Sequence, residues 1–159
     1  MSNEQTGNRY LSFNLGDEEY AIPLLSVREV IAVPEVTPIP FSAPHFLGIM
    51  NLRGQVISII DLRKKLGIKG NPAAETAVII CDLNPLCLGV VVDSINSVLA
   101  PQSSEISDRP EIQSNKPTDY ITHIYKKDKK LVLFLDIHKT LSVEDQQALA
   151  RATKEKLAA

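Results

Sequence analysis

The chain contains an internal repeat, and this repeat constrains the fold more than any other feature of the sequence. When the sequence is shifted by 68 residues, Tyr10–Leu15 falls on Val78–Leu83. The same shift places Tyr20–Ala32 on Leu88–Ala100 without a gap, and most aligned pairs match apolar with apolar. Self-similarity at a fixed offset indicates that one supersecondary unit occurs twice.

A second offset aligns the ends of the two units. At a shift of 75 residues, Val56–Leu66 (VISIIDLRKKL) falls on Leu131–Leu141 (LVLFLDIHKTL). The sequence therefore divides into halves of similar layout at approximately 10–67 and 76–141. The difference between the two offsets leaves seven extra residues in the middle of the second half. We predict a duplication whose halves are stacked or intertwined within a single domain over 8–141.

Short apolar segments bounded by turn residues predict a mostly β fold. Each half holds about five short strands, too few to bury a flat sheet, and closure into a barrel removes the exposed edges. Val78–Cys81 and Gly89–Val92 are continuously apolar, which is typical of strands buried on both faces. We therefore predict two five-stranded β-barrels, whose strands fill a barrel with one face and meet the sister barrel or a partner with the other.

Proline marks two departures from the regular strand pattern. Pro23 cannot donate a ladder hydrogen bond, which indicates an edge position for its strand. Pro101–Asp119 is long, polar and contains three prolines. A segment of this kind is usually functional or mobile, and we predict a loop there.

Short helices are expected at equivalent places in the two halves. Asp61 and Asp136 precede short helical segments, where an aspartate side chain accepts hydrogen bonds from the free amide groups of the first turn. Ser142 and Asp145 resemble a capping box. They predict a C-terminal helix over 142–157.

Composition excludes several classes of function. The 159-residue chain has a formal net charge of −2 and a pI of about 5.9, whereas nucleic-acid-binding domains usually carry a basic face and a pI above ~9. Aromatic residues make up 5% and tryptophan is absent, so stacking platforms for bases are scarce. No apolar run approaches the ~20 residues of a transmembrane helix, and residues 1–9 are polar. We expect a soluble cytoplasmic protein that neither binds nucleic acid nor inserts into a membrane.

The sequence contains none of the common catalytic or metal-binding motifs. It has no phosphate-binding glycine loop, no H-E-x-x-H and no G-x-S-x-G. His45, His123 and His138 share no ligand spacing, and Cys81 and Cys87 form no C-x-x-C pair. We expect no enzymatic activity, no metal and no cofactor. An enzyme of unrecognised type, with a histidine close to a carboxylate in a pocket, and a ligand-binding small barrel are the alternatives.

One hairpin turn differs chemically from the others. In Asn51–Gly54 (NLRG), Gly54 permits a tight turn between two strands. Arg53 presents there a planar cation with five hydrogen-bond donors. Such a group requires a carboxylate, either from Glu29 in the same half or from a partner. An exposed arginine without a special role is the alternative interpretation.

Four segments together resemble the CheW-like coupling proteins of bacterial chemotaxis. They are LGDEEYAIPLLSVREVI (Leu15–Ile31), GIMNLRGQVISIIDLRKKLG (Gly48–Gly67), LGVVVDSINSVL (Leu88–Leu99) and LVLFLDI (Leu131–Ile137). The resemblance covers nearly the whole chain in the family's order, and N-L-R-G followed by I-D-L-R is specific to the family. It implies two five-stranded barrels around a shared hydrophobic core, to which the short helices and the C-terminal helix predicted above are added. It also implies a non-catalytic adaptor.

The resemblance implies the partners as well. The regulatory domain of a CheA-type histidine kinase, itself a double barrel, docks end to end with the adaptor's barrels. The cytoplasmic helical tip of a methyl-accepting chemoreceptor packs in the groove between the two barrels, a common mode of helix recognition. Such an adaptor is cytoplasmic, is recruited to membrane-associated receptor arrays and is expected to be monomeric in isolation. A CheW-like paralogue that serves surface motility or another non-flagellar output is the alternative.

The family's functional positions carry over residue by residue. Glu29 and Arg53 match the acid–arginine pair, and Gly54 matches the glycine that completes the turn. The apolar positions that dock the kinase match Leu11, Leu24 and Val27. The positions that line the groove or the contact between barrels match Val30, Ile57, Val78, Gly89, Ile95 and Val98. For each aliphatic residue, plain barrel core is the alternative.

Overall fold

Eleven strands form the framework of the described part of the chain. The computed structural model describes residues 9–40, 43–70, 76–83, 87–108, 120–142 and 144–148. The strands are β1 (Tyr10–Leu15), β2 (Glu18–Pro23), β3 (Val27–Ala32), β4 (Phe46–Leu52), β5 (Gln55–Asp61), β6 (Ala77–Asp82), β7 (Cys87–Val92), β8 (Ser94–Leu99), β9 (Ile106–Asp108), β10 (Ile121–Lys127) and β11 (Lys130–Leu135). The helices are α1 (Leu62–Leu66), α2 (Ile137–Thr140), 3₁₀ turns at Leu24–Ser26 and Ser103–Glu105, and a helical segment at 144–148.

The strands form two sheets, and each sheet draws strands from both halves of the sequence. The five-stranded sheet has the order β3-β6-β7-β5-β4, and the six-stranded sheet has the order β8-β1-β2-β11-β10-β9. The offset of 68 carries β1–β3 onto β6–β8, and the offset of 75 carries β4 and β5 onto β10 and β11. When each strand of the five-stranded sheet is replaced by its counterpart in the other repeat, the order becomes β8-β1-β2-β11-β10. This is the order of the six-stranded sheet without β9. Each sheet thus combines the first two strands of one repeat with the last three of the other, and the prediction of a mostly β, two-part fold is confirmed.

One strand, β9, has no counterpart in the other repeat. It lies within Pro101–Asp119 and pairs with β10, which makes the second sheet six-stranded where the sequence predicted five. The loop prediction is wrong for this part, because the 3₁₀ turn at Ser103–Glu105 leads directly into the strand. A three-residue strand is too short to show alternation in the sequence. Residues 109–119 lie outside the described residues.

Three hydrophobic clusters pack the two sheets. One cluster lies within the five-stranded barrel, a second lies along the six-stranded sheet, and the largest draws on both sheets. Along β6 the side chains alternate between clusters: Val78 and Ile80 belong to the five-stranded barrel, whereas Ile79 and Cys81 belong to the shared core. The prediction that this strand is buried on both faces is therefore confirmed.

The five-stranded barrel closes between its edge strands, β3 and β4. Thr37, which follows β3, exchanges two backbone hydrogen bonds with Ile49 of β4, at N···O distances of 2.8 and 2.9 Å. Gly48 permits this approach, because a Cβ atom there would lie 2.1 Å from the carbonyl oxygen of Thr37. The hairpin β4–β5 is thereby held opposite β3.

The predicted helix caps are confirmed. Asp61 accepts a hydrogen bond from an amide of α1 at 3.0 Å, and Asp136 accepts one from an amide of α2 at 3.4 Å. Ser142 and Asp145 form a reciprocal capping box, with both side chain–amide distances at 3.0 Å. The helical segment at 144–148 follows, and residues 143 and 149–157 of the predicted C-terminal helix lie outside the described residues.

The edge position predicted from Pro23 is wrong. β2 lies inside the six-stranded sheet, between β1 and β11. Proline is tolerated there because it is the last residue of the strand, and the pairing of β2 with β11 involves only Glu19–Ala21.

Candidate functional site

The turn between β4 and β5 has an unusual backbone. Arg53 and Gly54 form a two-residue loop with φ angles of 51° and 86°, the left-handed conformation of a type I′ hairpin turn. Among the described residues, Arg53 and Asp128 are the non-glycine residues with positive φ. Asn51 adds a side-chain hydrogen bond, because the amide of Gly54 donates to its Oδ1 atom at 2.7 Å. The hairpin predicted from NLRG is therefore confirmed.

Arg53 forms a two-point ion pair with Glu29. Its Nη1 donates to Oε1 at 2.6 Å, and its Nη2 donates to Oε2 at 2.9 Å. Because Glu29 lies on β3 and Arg53 follows β4, the pair joins the two edges of the five-stranded sheet. The side chain of Arg53 is 71% exposed and that of Glu29 is 25% exposed. The hydrogen bonds from Arg53 lower the pKa of Glu29, and the same contact raises the pKa of Arg53.

The pair leaves hydrogen-bond donors on Arg53 for a second carboxylate. A guanidinium has five N–H groups, and Glu29 accepts one from each Nη atom. The N–H groups on the Nε side of the guanidinium therefore remain available. In the described part of the chain, Glu29 is the one carboxylate that pairs with Arg53. Arg28 also approaches, since it lowers the pKa of Glu29 further and donates to Oε1 of Gln55 at 2.7 Å. Two arginines around one glutamate leave a positive charge that suits an acidic group.

A cleft of about 380 Å³ lies where β3, an edge strand of one sheet, meets β8, an edge strand of the other. Its lining residues are Val30, Ile31, Ala32, Thr76, Ala77, Ser94 and Ile95. The predicted groove residues Val30 and Ile95 therefore lie together. Val98, the counterpart of Val30 at the offset of 68, is exposed on β8. The structure thus groups three of the predicted groove residues at these two edge strands.

Three other predicted groove residues lie inside the five-stranded barrel. Ile57 and Val78 are fully buried in the cluster that this barrel encloses. Gly89 is buried against the same cluster, because a Cβ atom there would lie 2.6 Å from Cδ1 of Ile59 and 2.7 Å from Cγ1 of Val78. Strand alternation turns these positions towards the barrel interior, away from the cleft lining and the shared core.

The predicted kinase-docking residues differ in accessibility. Leu11 is buried in the shared core, whereas Leu24 and Val27 are partly buried and pack against it. Leu25, on the 3₁₀ turn between β2 and β3, is 69% exposed and is missing from the sequence prediction. Periodicity cannot identify it, because a three-residue turn has no repeating face. The one signal in the sequence is a leucine pair in a connection between strands.

Two of the histidines lie near carboxylates, and one of the cysteines is buried. Nε2 of His45 lies 2.7 Å from a carboxylate oxygen of Asp145, and His123 lies 4.0 Å from the exposed Asp108. Burial raises the pKa of the Cys81 thiol to about 12, so this thiol stays protonated at neutral pH.

In the described ranges, no helix has the length and hydropathy that a membrane span requires.

Comparison with known proteins identifies similar chains over nearly the full length. A family model described as the CheW-like domain matches residues 9–145. The chemotaxis protein CheW of Klebsiella aerogenes is 33% identical over 155 residues, which cover 97% of this chain and 93% of the relative. CheW of Bacillus subtilis is 33% identical over 146 residues, covering 91% and 93%. The crystal structure of the scaffolding protein TtCheW from Thermoanaerobacter tengcongensis superposes with a TM-score of 0.78 at 27% identity, covering 87% of this chain and 95% of that one.

Proposed function

This chain belongs to the CheW-like domain family, and from that membership we propose that it is a non-catalytic adaptor that couples transmembrane chemoreceptors to a CheA-type histidine kinase. The observation that carries the proposal is the exposed Glu29–Arg53 pair, whose glutamate lies on the same edge strand, β3, as the cleft. An exposed ion pair contributes little to folding, so its value to the protein lies in binding. Relatives named chemotaxis protein CheW support the same conclusion.

The receptor's helical tip binds at the cleft. An amphipathic helix buries its apolar face in a groove of this kind, and Val30, Ile95 and Val98 supply apolar surface on β3 and β8. Arg53, with its unused donors, then pairs with a carboxylate on the receptor. An arginine that loses its water at an interface is a frequent hot spot.

The kinase's regulatory domain docks at the connection between β2 and β3. Leu24 and Val27 are partly accessible there, and Leu25 adds the large exposed side chain that an apolar anchor requires. Leu11 supports this surface from within the shared core. The adaptor is cytoplasmic, monomeric in isolation and recruited to receptor arrays through these two contacts.

The kinase contact is tested by titration calorimetry of the full chain against the isolated regulatory domain of a CheA-type kinase from the same genome. We expect saturable binding that Leu25→Arg weakens at least tenfold without a change in melting temperature. Leu131→Arg is the matched control, because Leu131, near the start of β11, is also a large exposed leucine at 53% exposure. No binding at tens of micromolar, with both proteins folded, would contradict the kinase contact.

The receptor contact is tested by receptor-dependent kinase activation. Glu29→Arg and Arg53→Glu should each abolish activation while the melting temperature stays nearly unchanged. The double charge swap restores the ion pair but presents a carboxylate outward, so it should stay inactive. Full activation by either single variant would show that the pair is not part of the site, and rescue by the double swap would show that it is only structural.

A further inference from the structure

Arg53 occupies a backbone position that its residue type does not favour. The first loop position of a type I′ turn normally holds asparagine, aspartate or glycine, which tolerate positive φ. At the offset of 75 residues, the counterpart of Arg53 is Asp128 in the β10–β11 turn, with φ of 54° against 51°. The duplicated turn thus shares the positive φ of the first loop position and has a residue that suits it, but its second loop residue, Lys129, lacks the positive φ of Gly54. Strained conformations of this kind persist where the surroundings hold them in place.

Asn51 is the neighbour that holds this turn. Its Oδ1 atom accepts the amide of Gly54 at 2.7 Å, which ties together the residues on both sides of Arg53. The counterpart of Asn51 in the other hairpin is Lys126, whose side chain has three donors and no acceptor. The duplicated turn, which has a different backbone at Lys129, closes without such an acceptor, so the Asn51 bond belongs to the turn geometry that carries Arg53.

We propose that Asn51 is a positioning residue for Arg53. Its bond to Gly54 fixes the turn so that the guanidinium meets Glu29 end-on and keeps its Nε edge turned outward for a carboxylate of the receptor. The inference rests on the proposed function, because it assigns Asn51 to the receptor contact of Arg53. Asn51 itself does not touch the receptor.

The binding test uses the full chain and a soluble cytoplasmic fragment of a chemoreceptor that contains the helical tip. Arg53→Ala should weaken binding at least tenfold, as expected for a hot spot. Asn51→Ala should weaken it about fivefold, the size expected for one net hydrogen bond. The double variant should bind no more weakly than Arg53→Ala, because Asn51 acts through Arg53.

Each of the other three outcomes contradicts a specific part of the proposal. If Arg53→Ala binds like the unmodified chain, the proposed receptor contact is wrong. If Arg53→Ala weakens binding and Asn51→Ala does not, the contact stands and the positioning role of Asn51 is wrong. If the two effects add in the double variant, Asn51 acts independently of Arg53, which also overturns the inference.

A second readout does not depend on the receptor. NMR titration of the Glu29 carboxyl should find a lowered pKa in the unmodified chain and a pKa nearer the ordinary value in Arg53→Ala, where Arg28 remains. In Asn51→Ala the pKa should rise towards the ordinary value, because a looser turn weakens the two-point contact. Lys126→Ala, at the equivalent place in the other hairpin, should leave the pKa of Glu29 unchanged. An unchanged pKa in Asn51→Ala would overturn the inference, since a purely global loss of stability would not move it.

Discussion

Asp145 should link the stability of the protein to pH. Its carboxylate accepts a hydrogen bond from Nζ of Lys65 at 2.6 Å, lies 2.7 Å from Nε2 of His45, and accepts the amide of Ser142 at 3.0 Å. These contacts tie the helical segment 144–148 to α1 and to the turn before β4. Burial alone raises the pKa of Asp145, but the hydrogen bonds from Lys65, Ser142 and His45 outweigh it and lower the pKa to about 2.

The size of the effect follows from this pKa. A fall from the ordinary value of 3.8 to about 2 favours the folded state by ~2.4 kcal/mol, at ~1.36 kcal/mol per pKa unit. Solvent screening of the partly exposed partners reduces this to about 1–2 kcal/mol. Because the folded pKa is the lower one, the contribution is fully present above about pH 4 and is lost as the pH falls towards about 2.

The assay is denaturant unfolding of Asp145→Asn and the unmodified chain from pH 7 down to pH 2. We expect the variant to be less stable by about 1–2 kcal/mol at pH 7, and the difference to shrink towards zero between about pH 4 and pH 2. Glu144→Gln, which removes a carboxylate from the adjacent exposed position, should follow the unmodified chain. A difference between Asp145→Asn and the unmodified chain that stays constant from pH 7 to pH 2 would refute the reasoning.

Two further predictions concern the barrels. Gly48→Ala should lower the free energy of unfolding by about 3 kcal/mol or more, because its Cβ would clash with the backbone of Thr37 and open the barrel. Gly67→Ala, also at positive φ but with no atom near the new Cβ, should cost only about 1–2 kcal/mol, and equal losses in the two variants would contradict this account. Ser58→Ala should raise the free energy of unfolding by about 1 kcal/mol, because the buried hydroxyl of Ser58 has no hydrogen-bond partner in the described structure. Chemical denaturation measures all three variants, and a less stable Ser58→Ala would show that this hydroxyl is satisfied.

Much of the fold could be predicted because it depends on local chemistry. The strand segments, the hairpin at Arg53 and Gly54, and the caps at Asp61 and Asp136 follow from residues a few positions apart, and the repeat follows from comparing such local patterns along the chain. The turn pointed to Arg53 and left Glu29 as one possible partner, the resemblance implied the importance of the pair, and the two-point contact needed the structure. It brings together the opposite edges of one sheet, which the sequence separates by 24 positions.

The tertiary structure decided how the repeats combine and which apolar residues reach the surface. The continuous apolar runs of β6 and β7 predict burial on both faces, but not that Val78 and Gly89 fill one barrel while Ile79 belongs to the shared core. Composition likewise does not distinguish the buried Leu11 from the exposed Leu25. Neighbouring residues determine the hydrogen bonds of turns and caps and the alternation of side chains along a strand. These features can therefore be predicted from the sequence. The exchange of strands between barrels depends on contacts between residues tens of positions apart, and only the folded chain determines these.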